Sequence, residues 1–494
     1  MSGEGKQVLN HTGILMGMEL GIRVMDAVVS VILARYLMPE GFGLLAFGVS
    51  FGALYGILAG FGMGYLVTRD VASDSEAISN YLSNGLMAKV FLSVLTLTLM
   101  ALNASLMGFS LHKIEIVLVA GLQMVMETNL GFALSVYQGL RKMWTVAIGN
   151  LIPRIGWLIL SLAVVAMKGD VFALLWVRVL VNTVCMIGVL IMIHFSVAKI
   201  RLRFDWRAIV KMLKSSYPFA LFRLRGTVYA DLDTVMISWL ANDQMTGWYA
   251  SARKTLRIFT FIPTSFSTAL IPTLSKTVKH STKDAVWTLN QSCRYLWVLS
   301  MPIVAGVVPL APQLVRTLYG PGYEEATGAL QILILSVPFA FLNGSLLAGV
   351  SAVRKEKKGS NILIGGLLFS GLSNFIVVPL FGHLGAASTT VVSEIMILLL
   401  QARVVRQLLP GFKFADVKPG LWVASAAMAA CAFGLSRFGW QLALIASCLV
   451  YVPLVFWLGV LTPKDVENLR GMFRRKPSAA VAAQSIQTEV EKTS

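Results

Sequence analysis

Charge is scarce in this sequence. Only 13% of the 494 residues are Asp, Glu, Lys or Arg, and 56% are hydrophobic, whereas a soluble domain is about 25% charged. That excludes an ordinary water-soluble globule. It also excludes a disordered chain, which is poor in apolar residues. Cysteine is nearly absent. The four present (Cys185, Cys293, Cys431, Cys448) lie in apolar stretches, without the close spacing of a zinc site or redox pair, so they read as packing residues and no metal is expected. No Gly-x-x-x-x-Gly-Lys-Ser/Thr run occurs, so neither ATP hydrolysis nor a bound nucleotide cofactor is expected. Acidic residues are few as well, 24 against 42 Lys and Arg, for a net charge of +18. In a soluble protein such an excess suggests nucleic acid; here its placement along the chain points elsewhere, and no nucleic acid partner is expected.

Long apolar runs are what the sequence does have. At about 20 apolar residues per crossing, fourteen spans lie near 12–34, 42–66, 85–107, 115–138, 146–167, 171–195, 214–240, 247–273, 295–315, 327–350, 360–380, 384–402, 419–436 and 439–461. The first run contains Glu19, Arg23 and Asp26, which argues against a cleaved signal peptide. With a cytoplasmic N-terminus, the Lys and Arg outside the spans crowd onto the cytoplasmic side. Only Arg35, Lys113, Lys168, Arg316 and Arg437 fall in external loops. This positive-inside bias predicts a multi-pass membrane protein with both termini cytoplasmic. The densest basic segment, Lys199–Lys214 with Phe204 and Trp206, reads as an interfacial linker facing anionic lipid.

The two halves echo each other. Asp26-Ala-Val-Val and Leu33-Ala34 return as Asp233-Thr-Val-Met and Leu240-Ala241; Gly41-Phe-Gly returns as Gly247-Trp-Tyr, and Arg141-Lys142 as Arg354-Lys355. The sustained offset predicts an all-α fold of two pseudo-symmetric six-helix bundles plus two extra C-terminal helices. The parts expected are an N-terminal lobe 1–198, a basic linker 199–213, a C-terminal lobe 214–408, two additional helices in 409–463, and a cytoplasmic, disordered tail 464–494. Two parallel six-helix bundles without a large external domain are transporter architecture. Residues 1–200 contain only Pro39 and Pro153, while Pro218, Pro263, Pro272, Pro302 and Pro338 are among those of the second half. Bending is therefore predicted to concentrate there.

Ionisable residues inside spans carry the chemistry. Arg23 lies three to four residues from Glu19 and Asp26 and so shares a helix face with both, which reads as a local clamp. Span 7 carries Arg223, Arg225, Asp231 and Asp233, and span 8 carries Arg253, Lys254 and Arg257. A central Arg costs about 2.5–3.5 kcal/mol against lipid, so these cations must face water or each other. Their excess over the two aspartates suggests an anionic cargo. Arg154, Arg178 and Arg253 could snorkel to a nearby membrane face. Asp26 and Asp233, at equivalent repeat positions, are either helix anchors or part of an ion-coupling site; Asp231 is a further such carboxylate. Glu127 and Glu394, each alone in an apolar helix, are either silent or bind a coupling cation. Tyr229, Trp239, Trp248 and Tyr249 read as membrane-belt aromatics or as stacking partners for sugar rings.

Three segments carry a resemblance. Ala34-Arg-Tyr-Leu-Met-Pro-Glu-Gly-Phe-Gly-Leu-Leu-Ala-Phe47, Asp233 with Gly247-Trp-Tyr-Ala-Ser-Ala-Arg253, and Leu318-Tyr-Gly-Pro-Gly-Tyr-Glu-Glu-Ala326 followed by Leu330-Gln-Ile-Leu333 are similar to segments of the bacterial polysaccharide transport (O-antigen flippase) family. That family belongs to the multidrug/oligosaccharidyl-lipid/polysaccharide exporter superfamily. The resemblance implies a flippase, not an enzyme, that moves undecaprenyl-diphosphate-linked oligosaccharide across the bacterial inner membrane. Arg23, Arg223, Arg225, Arg253 and Arg257 would then be the cavity cations that meet the head group, since Arg suits bidentate phosphate contacts. It also implies membrane lipids, and in addition a polysaccharide polymerase and glycosyltransferases, as partners, with Na+ or H+ as a coupling ion. An ion-coupled multidrug exporter and a lipid II flippase are the same-fold alternatives. A membrane glycan polymerase is disfavoured by the short external loops.

Overall fold

A computed structural model describes residues 3–73, 78–199, 205–259, 261–413, 418–463 and 465, with the side chains of residues 3–20, 73, 80, 221–230 and 261–262 outside the description. The described residues form helices and no strand. In order these are α1 (Gly3–Gly60), α2 (Met63–Ser73), α3 (Ile78–Leu106), α4 (Leu111–Gly139), α5 (Met143–Ala166), α6 (Val171–Ser196), α7 (Trp206–Leu240), α8 (Asp243–Arg257), α9 (Phe261–His280), α10 (Thr282–Tyr319), α11 (Ala326–Ile334), α12 (Val337–Ala352), α13 (Glu356–Leu408), α14 (Gly420–Leu435) and α15 (Trp440–Trp457). Among the described residues ten helices are long and apolar enough to cross a membrane. The protein is thus all-α and polytopic, as its composition requires. Two of the ten are too long for one crossing. A straight 58-residue α1 would measure about 87 Å, against a hydrocarbon core of about 30 Å. It breaks at Met38, whose φ of 56° leaves the helical region just before Pro39; proline disfavours the α conformation in the residue it follows. Helix α13 breaks likewise at Gly382, at φ 57°. Helix α7, where the sequence places the seventh span, includes residues 221–230, whose side chains lie outside the description; α8 and α9, where it places the eighth, fall outside the ten.

The repeat is visible in local geometry. Helix α4 closes with Arg141 in the left-handed region at φ 58°, and α12 closes with Arg354 at φ 55°. The backbone N–H of Lys142 donates to the Tyr137 carbonyl and that of Arg141 to the Gln138 carbonyl. Lys355 and Arg354 make the same two bonds to Val350 and Ser351. Both ends are therefore Schellman closures with arginine in the place usually given to glycine. Counting on by the same offset, α5 and α6 fall together on α13, and the turn between them falls on the Gly382 break. The second copy is the more interrupted one. The second arm of α1 and α2, parted at Gly62, correspond to α8 and α9, parted after Arg257, with Pro263 in the first turn of α9. Helix α4 is continuous, but its counterpart splits into α11 and α12, with Pro338 at the start of α12. Proline suits a first helical turn because its missing N–H has no intrahelical partner there.

Packing divides the chain into two compact units, residues 1–251 with 374–383, and residues 252–373 with 384–494. The first has apolar cores around Leu66, Leu82 and Phe132, around Leu33, Ile116 and Leu174, and around Phe47, Phe51 and Met100. In it α7 and the start of α8 lie against α1, α2 and α4. The α1–α2 turn at Gly62 abuts Ser216, Phe219 and Ala220. At the other end of α7, a Cβ on Gly43 would lie 1.7 Å from the Asp243 carbonyl oxygen, and one on Gly247 would lie 1.9 Å from that of Pro39. Backbones therefore touch directly, and each glycine sits on the carbonyl four residues before the other. Lys113 of α4 locks this corner. Its Nζ lies 2.7 Å from Asp243 Oδ1 and 4.6 Å from the Phe47 ring centre, and Ser238 Oγ donates to the same Asp243 oxygen.

In the second unit α14 and α15 dock on α10. Tyr451 Oη donates to the Val298 carbonyl at 2.8 Å, and the Trp297 and Trp422 rings meet at 6.0 Å. Beyond α15, Asp465 receives Arg294 Nη2 at 2.7 Å, Tyr295 Oη at 3.2 Å and the backbone N–H and hydroxyl of Thr462. Burial pushes the Asp465 carboxyl up, but these Thr462, Arg294 and Tyr295 donors together hold it below the usual carboxylate range. A depressed carboxylate stabilises the fold fully at pH values above its unfolded pKa of about 3.9, and that contribution is lost as pH falls through the folded value. Asp465→Asn is expected to lower stability by about 1–2 kcal/mol at pH 7 and to abolish part of the loss seen between pH 5 and pH 3. Thermal unfolding at several pH values checks both.

Candidate functional site

Three helices of the first unit each bring a polar pair spaced i, i+4 to one place. These are Gln123 and Glu127 on α4, Asn150 and Arg154 on α5, and Arg178 and Asn182 on α6. The spacing stacks each pair on one helix face. All but Gln123 line a cavity of about 60 Å³, backed by Trp157. Asp26 of α1 reaches the same cluster. Arg154 bridges the carboxylates, with Nη2 3.3 Å from Glu127 Oε1 and Nη1 3.7 Å from Asp26 Oδ1. Gln123 Nε2 donates to Glu127 Oε2 at 2.7 Å. The Arg178 guanidinium lies over the Trp157 ring, 5.4 Å from its centre. Arg154 stands halfway along the 24-residue α5, so the cluster is at membrane depth.

This geometry corrects three expectations. Glu127 is not alone in its helix; an arginine and a glutamine hold it. Arg154 and Arg178 do not snorkel, because one is ion-paired and the other rests on a buried tryptophan. Asp26 meets a cation on the neighbouring helix, Arg154, while the side chain of Glu19, the other carboxylate of the expected Arg23 clamp, lies outside the described residues. Arg23 itself is exposed on α1.

Asp233 is 5% exposed and accepts Tyr249 Oη at 2.9 Å and Asn374 Nδ2 at 2.8 Å. It joins α7 to α8 and to the 374–383 stretch of α13. Tyr249 is fully buried, so it is neither a belt residue nor open to a sugar. Asp231 accepts Ser50 Oγ of α1 at 3.2 Å. The equivalent aspartates Asp26 and Asp233 therefore both link neighbouring helices.

In the second unit Glu394 is held by Asn343, whose Nδ2 donates to Glu394 Oε2 at 2.7 Å and to its backbone carbonyl at 3.1 Å. Arg253 is half-buried and Arg257 exposed on α8. Between them Thr255 Oγ1 shares a 3.0 Å hydrogen bond with Tyr319 Oη. The side chains of Glu19, Arg223, Arg225 and Tyr229 lie outside the described residues, as do residues 200–204 of the basic linker and the tail beyond Asp465. Sequence reasoning overlooked Asn343 and Asn374, the Lys113–Asp243 pair, and Lys89, which is 1% exposed and donates to the Ala59 carbonyl at 2.7 Å near the C-terminal end of α1. Amides and a lysine inside apolar runs were the available signal. Among the described residues no group of His, Cys, Asp and Glu is placed to hold a metal ion.

Comparison with known proteins places this architecture. The family model for polysaccharide biosynthesis proteins matches residues 8–278, more than half of the chain, and the MatE model matches residues 218–376. A protein of Escherichia coli (strain K12) named as an O-antigen transporter is 21% identical over 383 residues, 76% of this chain and 91% of its own length. One of Shigella dysenteriae with the same name is 24% identical over 279 residues, 56% of this chain and 69% of its own. The Haloferax volcanii protein named as the flippase AglR is 24% identical over 440 residues, 85% of this chain and 89% of its own. Among solved structures, the lipid II flippase MurJ in an inward closed conformation superposes with a TM-score of 0.76 at 15% identity, over 91% of this chain and all of that one. An inward-facing multidrug resistance MATE family transporter gives 0.65 at 12% identity, over 80% and 96%. Such low identities speak for the fold. The chain is a multi-pass helical membrane protein of the MurJ and MATE fold, and it belongs to the polysaccharide biosynthesis protein family.

Proposed function

We propose that this protein carries an undecaprenyl-diphosphate-linked oligosaccharide across the bacterial inner membrane by alternating access of two lobes, 1–198 and 214–408, with both termini cytoplasmic. The observation that carries the reading is the pair of arginines at membrane depth, Arg154 and Arg178, in a chain of flippase fold. A diphosphate bearing a hydrophilic glycan cannot cross hydrocarbon unaided, and guanidinium groups offer it charge and paired N–H donors. Arg23, Arg223, Arg225, Arg253 and Arg257 are proposed as further contacts along the path, and Na+ or H+ as the coupling ion. The names of the Escherichia coli and Shigella dysenteriae relatives support this class of cargo, and the lipid-linked sugar places glycosyltransferases before this step and a polymerase after it.

Deleting the gene is expected to leave a lipid-linked oligosaccharide at the cytoplasmic face, and analysis of the accumulated lipid identifies the cargo. Accumulation of lipid II instead would assign that cargo. Arg257→Ala and Arg223→Ala, at normal membrane levels of protein, are expected to cut surface glycan by about tenfold or more, the loss of one or two charged hydrogen bonds. Undiminished export by both variants would refute their role.

A further inference from the structure

Helix α7 shows different chemistry on each side of its first three turns. Ile209, Met212, Ser216 and Ala220 are buried, at steps of three and four that keep them on one face, and Ile209 and Met212 enter the core around Leu66, Leu82 and Phe132. Asp205 caps the helix by accepting the backbone N–H groups of Arg207 and Ala208, and its own N–H donates to Asn84 Oδ1 of α3 at 3.2 Å. Phe219, past the far end, stacks on Tyr65 of α2 with ring centres 6.0 Å apart. The arm is therefore fastened to the first unit at both ends. On the opposite face stand Arg207, Lys211 and Lys214, all exposed and spaced so that they share one row. Among the described residues none of these three side chains meets a carboxylate; the neighbouring acid, Asp205, is engaged in the cap. Between the two faces runs an aromatic flank. Trp206 and Tyr217, each 54% exposed, stand about three full turns apart and so point the same way.

Trp206 meets Phe91 edge to face, with ring centres 6.4 Å apart. Phe91 lies with Val90, Val94 and Leu95 on the exposed apolar side of α3, a helix long and apolar enough to cross a membrane. Exposed apolar residues on such a helix face acyl chains. The aromatic flank thus borders hydrocarbon, where Trp and Tyr commonly mark the boundary. From these three sides we propose that residues 206–217 lie along the membrane–water interface and that Arg207, Lys211 and Lys214 dock the head groups of anionic phospholipids. With the buried side held by the protein and the aromatic side by acyl chains, the remaining side meets the head-group layer. Long apolar stems let Lys and Arg reach it, and the positive end of the helix dipole adds to Arg207. Each cation near an anionic surface favours negative lipid by about fivefold. The basic segment 199–214 suggests anionic lipid by density alone; packing selects three residues and sets them in one row at the hydrocarbon edge. Docking here requires nothing of the cargo, and it holds whether or not the protein carries a lipid-linked sugar.

The test uses the full chain in vesicles of phosphatidylcholine with a minor fraction of phosphatidylglycerol. One lipid or the other carries a nitroxide quencher near the head-group end of an acyl chain. Trp206 emission is isolated by subtracting that of a Trp206→Phe partner made for each variant. Phosphatidylglycerol is expected to quench Trp206 as if present at about five times its bulk fraction or more, and the enrichment should fade at about 1 M salt. The combined Arg207→Gln, Lys211→Gln and Lys214→Gln variant should lose the enrichment while phosphatidylcholine still quenches Trp206, which shows that the arm remains in place. Arg403→Gln with Arg406→Gln, exposed cations on α13, should leave the enrichment unchanged. A wild-type protein without enrichment overturns the site, as does an equal loss in the α13 variant, which would trace the effect to overall charge. Absence of quenching by either lipid would put the arm in water, where an acidic protein partner could reach it, and overturns the lipid site as well.

Discussion

A single methyl group at Gly43 or Gly247 is expected to cost this protein more stability than any other one-carbon change. A Cβ on Gly43 would stand 1.7 Å from a backbone oxygen, and one on Gly247 1.9 Å, far inside van der Waals contact. The obstacle is main chain on a neighbouring helix and not the tip of a side chain, so α1 and α8 must move apart. Overpacking of this kind costs about 1–3 kcal/mol and occasionally more, and Gly43→Ala and Gly247→Ala should fall at the upper end. Separation would also lengthen the Lys113–Asp243 pair. Gly188→Ala is the control, because nothing lies within 4 Å of its added carbon and alanine is the better helix former by about 1 kcal/mol. Thermal unfolding in detergent should show a lowered midpoint for the first two variants and an unchanged or raised one for the third. An unchanged midpoint for Gly43→Ala would mean that the helices do not meet at this crossing.

The second large effect is expected at Asp233. Replacing it with alanine leaves the Tyr249 hydroxyl and the Asn374 amide without their acceptor, both in a buried place. An orphaned buried donor costs about 1–3 kcal/mol, so Asp233→Ala should lose about 2–6 kcal/mol. Asp233→Asn, which keeps one carbonyl acceptor, should lose about half as much, and Tyr249→Phe less again. If Asp233→Asn were as stable as wild type yet inactive in glycan export, the carboxylate would act in transport and not as an anchor. If it were destabilised and inactive in proportion, the anchor would suffice.

Much of the architecture could be read from residues alone because two periodic signals agree, the apolar run length and the offset between the halves. Arg141-Lys142 and Arg354-Lys355 were legible as a repeat, and the structure gives each pair the same closing turn. Of the prolines after residue 201, Pro263 and Pro338 start new helices, whereas Pro302, Pro309 and Pro312 lie within the unbroken α10. Partners across helices were not legible. A helix face is set by spacing within one run, so Arg23 with Asp26 was a natural pairing; which neighbour turns its face toward Asp26 is decided by packing, and α5 supplies Arg154. Polar pairs spaced i, i+4, such as Asn150 with Arg154, were present as signal, but each gains meaning only when the other helices deliver theirs to the same cavity.

The closing turns store backbone strain. A left-handed arginine costs roughly 1–2 kcal/mol, and glycine would relieve it at both places. The same costly residue, followed by the same lysine, closes α4 and α12 alike, so Arg141→Gly and Arg354→Gly should each raise the melting temperature by a similar amount. Helices α14 and α15 have no such counterpart in the first half; Arg294 and Tyr295 of α10 anchor the segment that follows them.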